Sequence, residues 1–156
     1  MPAIPDIPIN IRFRRIRPEL DTDILLPRYM TPQSSGLDIH AAVRDKILID
    51  PGAIFVVPTG FAIAIPPGFE IQIRPRSGLA ARHGIGMVNS PGTIDADYRG
   101  EVFIPLINFS REPFTLGRGD RVAQMILQKI YRVKFTIVEE LDETGRNRGG
   151  FGHTGM

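Results

Sequence analysis

Acidic residues and a tyrosine follow a Pro-Gly turn in the middle of the chain. Residues 94–101 read Ile-Asp-Ala-Asp-Tyr-Arg-Gly-Glu and follow Pro91-Gly92 after one residue, Thr93. A carboxylate in such a segment can activate a water molecule, or help to hold a divalent cation through its oxygens. Aspartate and glycine also favour turns for conformational reasons alone, so an ordinary surface turn explains the same residues. The segment is a candidate catalytic loop.

A second candidate site lies where a predicted strand passes into a predicted helix. Residues 74–78 read Arg-Pro-Arg-Ser-Gly. Ser77 predicts a hydroxyl N-cap, and the residues after it predict a helix of about two turns that stops at Gly84. Free amides, a hydroxyl and guanidinium groups converge at such a helix start and form a natural anion site. A capped helix beside a charged surface is the plain alternative, and these residues alone do not decide between the two.

The chain ends in a glycine-rich segment. From Asp142 onward it contains five glycines and one large apolar side chain, Phe151. Such a segment buries too little surface to offset its ordering entropy, so we expect it to be mobile when nothing is bound. Arg146, Arg148 and Thr154 offer donors to phosphate, and the Phe151 ring can stack on a base. A disordered terminus with incidental residues is the commoner explanation of such a composition.

The elements that must position these segments are predicted to be mostly strands. Between residues 46 and 74, short apolar runs are separated by turn signals, a spacing that predicts a sandwich or barrel. Residues 11–16, 69–74 and 101–109 are predicted strands, and the arginines of the first are assigned to its solvent face. Residues 122–133 fit a helical stripe as well as a buried strand, and their context favours a strand.

Composition excludes several classes of protein. A chain of 156 residues with 42% apolar content suits one compact domain. Cysteine is absent, which excludes disulfides and thiolate chemistry and makes the cytoplasm the simplest location. The N-terminal residues make a poor signal peptide, and we expect no membrane span. A formal charge of +2 is too small to predict a nucleic-acid partner, despite the basic pI of about 9.3.

The basic residues are mostly arginine. Sixteen of the 19 are Arg, whose planar fork suits phosphate, although a compositional bias of the genome explains the same excess. The chain has no Gly-Lys-Ser/Thr phosphate loop, no His-Glu-x-x-His and no Gly-x-Ser-x-Gly motif, which argues against the familiar NTPase and protease routes. His40, His83 and His153 have no metal-ligand spacing and are interpreted as structural or exposed.

Five segments, taken in order, resemble the motifs of the trimeric dUTP pyrophosphatases (dUTPases). They are Ser-Gly-Leu-Asp-Ile-His-Ala-Ala (35–42), Pro-Arg-Ser-Gly-Leu-Ala (75–80), Asn-Ser-Pro-Gly-Thr-Ile-Asp-Ala-Asp-Tyr-Arg-Gly-Glu (89–101), Gly-Asp-Arg-Val-Ala-Gln (119–124) and the tail (146–155). The resemblance implies an all-β, jelly-roll-like barrel or sandwich with one short helix after Ser77. It also implies a homotrimer whose active sites lie between subunits. Residues 1–141 would form the domain, and residues 142–156 a flexible arm that closes a neighbour's site.

The resemblance also implies the reaction and the residues that carry it. Asp95 would be the general base for water attack on the α-phosphorus of dUTP, giving dUMP and pyrophosphate. This reaction keeps uracil out of DNA and supplies dUMP for dTTP synthesis. Mg2+ would be held chiefly by the triphosphate, with Asp38 reaching it through water. The substrate-binding residues would be Arg76, Ser77, Gly78, Asn89, Thr93, Ile94, Tyr98, Gln124, Arg146, Phe151 and Thr154.

Within that set, Arg76, Ser77 and Gly78 would bind phosphates, and Gln124 would help to position the site. Asn89 and the backbone through Asp95 would read the edge of uracil, and Tyr98 would lie under the deoxyribose. The tail departs from the family pattern at Asn147, where glycine is usual, and at His153, where serine is common. Either Arg146 or Arg148 would reach the γ-phosphate.

Two other functions remain open from the sequence. A dCTP deaminase resembles this fold and shares related phosphate motifs, although the Tyr98 segment and the Gly-Gly-Phe-Gly tail argue against it. A non-catalytic β-barrel that binds single-stranded nucleic acid would account for the arginine surplus.

Overall fold

The computed structural model describes residues 8–150. Within that range the chain forms twelve strands and one short helix. In chain order these are β1 (Arg12–Arg15), β2 (Arg28–Tyr29), β3 (Leu37–His40), β4 (Ile47–Ile49), β5 (Ile54–Pro58), β6 (Phe61–Ala64), β7 (Phe69–Pro75), α1 (Ser77–His83), β8 (Ile85–Met87), β9 (Gly92–Ile94), β10 (Phe103–Asn108), β11 (Phe114–Leu116) and β12 (Arg121–Lys129).

The strands pair in an antiparallel manner throughout. The largest sheet has five strands in the order β2-β3-β12-β7-β9. A second sheet has the order β5-β10-β8, and β1 pairs with β6 and β11 with β4. This all-β, jelly-roll-like arrangement confirms the fold class that the sequence predicted.

Alternating side chains divide the five-stranded sheet into two faces. Ile71 and Ile73 of β7 are buried in the hydrophobic core, as is Ile39 of β3. The residues between them point to the opposite face, because successive side chains of a strand alternate. That outer face is polar along β7, where Gln72 Nε2 donates to Glu70 Oε1 at 2.9 Å and Arg74 Nη2 donates to Gln72 Oε1 at 2.7 Å.

The helix confirms one sequence prediction and corrects another. It spans seven residues and ends at Gly84, whose left-handed backbone places its N–H on the carbonyls of Ala80 and Leu79. The N-cap, however, is Arg76 in extended conformation, with no side-chain hydrogen bond to the helix. The hydroxyl cap predicted at Ser77 is therefore wrong. The extended backbone of β7 continues through Arg76, so Ser77 is already the first helical residue.

The chain after β12 has a different character. The ambiguous segment 122–133 is a strand as far as Lys129, and residues 130–150 contain no helix or strand. Most side chains from 131 to 148 are exposed. The domain boundary after residue 141 stays a prediction. No helix in the described range is long and apolar enough to cross a membrane.

Replacement of Gly84 by alanine tests how the helix end is held against the turn that follows β10. Gly84 has φ 64°, and an added Cβ would lie 2.9 Å from Ser110 Cβ and 3.0 Å from the Ser110 backbone nitrogen. We expect Gly84→Ala to lower the free energy of unfolding by about 2 to 4 kcal/mol, because backbone strain and a clash combine.

Gly52→Ala is the matched control for that substitution. Gly52 has φ 77°, but no atom lies within 4 Å of the added Cβ, so only the backbone strain operates, about 1 to 2 kcal/mol. Urea unfolding at one fixed protein concentration measures both variants. Equal losses of stability would show that the contact with Ser110 contributes nothing.

Candidate functional site

A buried carboxylate lies at the centre of the first group of site residues. Asp38 of β3 is 1% exposed. Its Oδ1 accepts a hydrogen bond from Gln124 Nε2 at 2.9 Å, and its Oδ2 accepts one from Arg121 Nη1 at 3.0 Å. Arg76 Nε lies 3.5 Å from Oδ2. We call these four residues the Asp38 cluster.

Strand pairing brings the cluster together. Gln124 of β12 is directly opposite Asp38 of β3 on one side and Arg74 of β7 on the other. Arg76 follows two residues later, at the start of the helix. Because Ile39 points into the core, its neighbour Asp38 must point to the outer face of the sheet. Segments far apart in sequence therefore place one anion and two cations at one point on the sheet.

The predicted phosphate-binding residues flank this cluster. Ser77 and Gly78 are exposed at the first turn of the helix, beside the half-buried Arg76. Arg76 has a second contact, in which its Nη1 donates to the carbonyl oxygen of Arg121 at 3.1 Å. A cationic side chain and exposed backbone amides thus face the same solvent region, which suits an anionic ligand.

The second group of site residues lies on the β9 loop, residues 89–101. Strand β9 pairs with β7, with Ile94 opposite Ile71. A cavity of about 200 Å3 opens beside this loop. It is lined by Thr93, Ile94, Asp95, Tyr98, Glu101, Val102 and Phe103. Asn89 lies against the start of β9, because its Nδ2 is 3.2 Å from the position of a Cβ on Gly92.

Tyr98 is held in place by the backbone around it. Its Oη donates to the carbonyl oxygen of Glu101 at 3.0 Å, and its N–H donates to the carbonyl oxygen of Asp95 at 3.2 Å. Gly100 packs so closely under the phenol that a Cβ there would overlap the Tyr98 Oη. The ring is nevertheless 43% exposed, so one surface is free to contact a ligand.

Glu101 anchors the end of the β9 loop. Its carboxylate accepts two hydrogen bonds from the Arg17 guanidinium, at 3.0 and 2.9 Å, and one from the Gly60 amide at 2.8 Å. The pairing with Glu101 raises the pKa of Arg17 above its ordinary value. A bidentate pair of this kind fixes position as well as charge.

The two groups do not meet within one chain. Asp38 and the β9 loop are separated by β12 and β7, which amounts to three strand spacings, about 14 Å. Asp95 lies one residue beyond Ile94, which is paired with Ile71. Measured along β7, that position is four residues, about 13 Å, from Arg74, which is level with Asp38. The combined separation of Asp38 and Asp95 is roughly 20 Å.

Comparison with known proteins identifies the family of this chain. The family model described as dUTPase matches residues 22–155. The chain belongs to the dUTPase family of hydrolases. It is 50% identical over 148 residues to the deoxyuridine 5'-triphosphate nucleotidohydrolase of Syntrophotalea carbinolica, covering 95% of this chain and 98% of the relative. The protein of the same name from Anaeromyxobacter sp. is 49% identical over 149 residues, covering 96% and 99%.

Solved structures of dUTPases share the fold. A mutant dUTPase of Staphylococcus bacteriophage 80alpha, in complex with dUpNHpp, has a TM-score of 0.78 at 21% identity, covering 94% of this chain and 99% of that one. A mutant dUTPase from phage phi11 of S. aureus, described with a coordinated structural Mg(II) ion, has a TM-score of 0.72 at 22% identity, covering 84% and 97%.

The first dUTPase motif offers one carboxylate, Asp38, to a metal ion. Within residues 8–150, no group of three or more His, Cys, Asp or Glu side chains could hold an ion. Asp38 already accepts hydrogen bonds on both oxygens, yet a carboxylate has about four lone-pair positions. It therefore keeps lone pairs that could accept a hydrogen bond from a water molecule. This fits an ion held mainly by ligand oxygens, with Asp38 in its outer sphere.

Two histidines, His40 and His83, lie within the described residues, and neither belongs to the Asp38 cluster. His40 is 6% exposed, and its Nδ1 has no hydrogen-bond partner in the described structure. Burial lowers the pKa of His40, and the charge of Arg28 adds to this effect. The ring of His83 packs 5.4 Å from that of Phe114.

The tail of the dUTPase pattern is described only in part. Arg146 Nε donates to the Gly149 carbonyl at 2.8 Å, within its own turn. Asn147 adopts φ 43°, a left-handed backbone that asparagine tolerates better than most residues. Phe151, His153 and Thr154 lie outside the described residues.

Two residues with site contacts received no specific role from the sequence. Arg121 stands inside the fourth dUTPase motif, which was the available signal. Glu101 closes the third motif, but its partner Arg17 lies 84 residues away, and no sequence pattern indicates that pairing.

Proposed function

We propose that this chain hydrolyses dUTP to dUMP and pyrophosphate in a Mg2+-dependent reaction. The observation that carries the proposal is the β9 loop cavity. Asp95 and Tyr98 both line this cavity. The chain is also similar, along nearly its whole length, to proteins named for that reaction. The Asp38 cluster and the adjacent helix start supply the phosphate-binding groups, namely an arginine and exposed backbone amides.

Asp95 is the general base of the proposed reaction. Its side chain is exposed at the cavity, as a group that must take a proton from water requires. The water oxygen forms a bond to the α-phosphorus while its proton passes to Asp95. The bond from the α-phosphorus to the bridging oxygen breaks, and pyrophosphate leaves with that oxygen.

The β9 loop selects the nucleoside. Asn89 and the backbone from Thr93 to Asp95 match the donors and acceptors of uracil, and the close approach of the backbone leaves no room for the thymine methyl. Sites built on hydrogen bonds discriminate well, because a wrong base leaves buried polar groups unpaired. Tyr98, held by the Glu101 carbonyl, lies under the deoxyribose and excludes a 2′-hydroxyl.

The Asp38 cluster and the helix start receive the phosphates. Arg76 donates to phosphate oxygens together with Ser77 and the Gly78 amide, and Gln124 keeps the Asp38 carboxylate oriented. When bound, Mg2+ neutralises charge on the triphosphate. Asp38 would contact it through water. Phosphoryl transfer depends mainly on such positioning and charge neutralisation.

Two features of the described chain support a homotrimer with shared sites. The β9 loop and the Asp38 cluster are roughly 20 Å apart within one chain, so the proposed site would combine the loop of one subunit with the cluster of another. In addition, the segment after β12 exposes large apolar side chains that a monomer would leave in water, such as Phe135 at 88% and Ile137 at 96%. The other exposed side chains there are Tyr131, Val133, Val138 and Leu141.

The arm of residues 142–156 completes the proposed site from a neighbouring chain. Arg146 or Arg148 would donate to the γ-phosphate, Phe151 would stack on the uracil, and Thr154 would add a hydroxyl donor. In this arrangement the segment from 131 to 141 packs on the neighbour and delivers the arm. We further propose that the enzyme acts in the cytoplasm, where it keeps uracil out of DNA and supplies dUMP for dTTP synthesis.

A substrate comparison tests the proposed function directly. Pyrophosphate release is measured from dUTP, UTP, dCTP and dTTP, each with Mg2+ and with EDTA. We expect metal-dependent turnover of dUTP alone. Equal rates with dCTP or dTTP would refute the account of uracil recognition, and ammonia release from dCTP would identify a deaminase instead.

Replacement of Asp95 tests the general base. We expect Asp95→Asn to lower kcat by roughly 10² to 10⁴ because the water loses its proton acceptor. The Kd for the analogue dUpNHpp should stay close to that of the unaltered protein. Asp97→Asn is the matched control, since Asp97 is exposed on the same loop but does not line the 200 Å3 cavity. Full turnover by Asp95→Asn would remove Asp95 from this role.

Subunit exchange tests whether sites are shared. One variant carries Asp95→Asn and the other lacks residues 145–156, so each should be nearly inactive alone. In mixed trimers, some sites combine an intact Asp95 with an intact arm, and we expect part of the activity to return. Absence of recovery, with exchange confirmed by mass spectrometry, would mean that each arm closes the site containing its own Asp95.

A further inference from the structure

Strand β12 contains an irregularity next to the Asp38 cluster. Arg121 is opposite His40 and Ala123 is opposite Ile39, so two steps along β12 match one step along β3. This is a β-bulge, in which one strand carries an extra residue. Both Val122 and Ala123 are consequently buried in the core, at 1% and 0% exposure. The bulge shifts the alternation of side chains at this point.

The shift brings two side chains within hydrogen-bonding distance of the same carboxylate. In a regular strand, residues 121 and 124 would point to opposite faces, because three steps reverse the direction. Here Arg121 and Gln124 both reach the outer face, where they donate to separate oxygens of Asp38 at 3.0 and 2.9 Å. The bulge is therefore what permits both hydrogen bonds.

Arg76 competes with Arg121 for the same oxygen. Arg76 Nε is 3.5 Å from Asp38 Oδ2, the oxygen to which Arg121 donates at 3.0 Å. Arg76 is also held away by its own hydrogen bond, from Nη1 to the Arg121 carbonyl at 3.1 Å. The Asp38 side chain is only 2% exposed, so water hardly screens its charge. A buried carboxylate that lost Arg121 would draw in the nearest remaining cation.

We propose that Arg121 is a positioning residue, which pairs with Asp38 through the β-bulge and so leaves the Arg76 guanidinium available for phosphate. The inference rests on the proposed function, because it assigns phosphate binding to Arg76. Arg121 need not touch the substrate itself. Its side chain neutralises Asp38, and its carbonyl orients Arg76.

The test is binding of dUpNHpp in EDTA, which isolates the contribution of the arginines from that of a metal. We expect Arg121→Gln to raise the Kd by about 10- to 100-fold, because Asp38 would then capture Arg76. This is the usual effect of losing a charge-assisted hydrogen bond to a ligand, here the bond from Arg76 to phosphate. With Mg2+, the KM for dUTP should rise similarly, while kcat changes less. Arg121→Lys keeps the charge and should give an intermediate Kd, which also provides a second variant if Arg121→Gln does not fold.

A second substitution distinguishes capture of Arg76 by Asp38 from a general loosening of the fold. Asp38→Asn removes the charge that would capture Arg76. In the Arg121→Gln background it should therefore restore the Kd in EDTA to that of Asp38→Asn alone. If Asp38→Asn and Arg121→Gln instead weaken binding additively, Arg121 does not act through Asp38 and the proposal is wrong.

Arg118→Gln is the matched control. Arg118 donates to Asp23 at 2.8 and 2.7 Å and to Asp21 at 3.1 Å, neither of which belongs to the Asp38 cluster. Its loss should lower the unfolding temperature and leave the Kd unchanged. A Kd raised equally by Arg118→Gln and Arg121→Gln would show loosening of the fold and overturn the proposal. If the unaltered protein neither binds dUpNHpp nor hydrolyses dUTP, the proposed function fails first. If it does both while Arg121→Gln binds within twofold, only the positioning role fails.

Discussion

The pairing of β12 with two neighbours at once is the constraint on which the rest of the structure depends. Its nine residues lie between β3 and β7, and it contributes Val122, Ala123 and Met125 to the core. The same pairing puts Gln124 opposite both Asp38 and Arg74. Hydrophobic burial on one face of this strand thereby sets the positions of charged groups on the other. A shift of one residue would send Gln124 into the core and expose the apolar set.

Charge at the site is organised by what each carboxylate is paired with. Asp38 is buried and pairs with arginine, and in the proposed reaction it would meet a hydrated cation. Asp95 is exposed on its loop, where a group that exchanges protons with water must lie. Glu101 pairs with Arg17 and Gly60 and holds the end of the loop. Three acidic residues of the dUTPase motifs thus have three different environments.

Sequence reasoning succeeded where periodicity or local backbone chemistry determines the structure. The apolar runs before residue 74 became strands, and Gly84 ended the helix in left-handed conformation, as predicted. It failed at the N-cap, because the side chain of Ser77 suits a cap but the path of β7 makes Arg76 the capping residue. The short strands β8 and β11 were not predicted. Three residues are too few to show an alternation, and their pairing depends on partners distant in sequence.

The amino-acid sequence by itself determined the all-β class, the dUTPase family and the residue types available for chemistry, because periodicity and ordered motifs are local properties of the chain. The tertiary structure decided which of those residues meet. It joined Asp38, Arg76, Arg121 and Gln124 and kept them roughly 20 Å from Asp95, which strand order and register determine. It also decided that Arg121 faces Asp38, since the direction of that side chain follows from a β-bulge that no local pattern reveals.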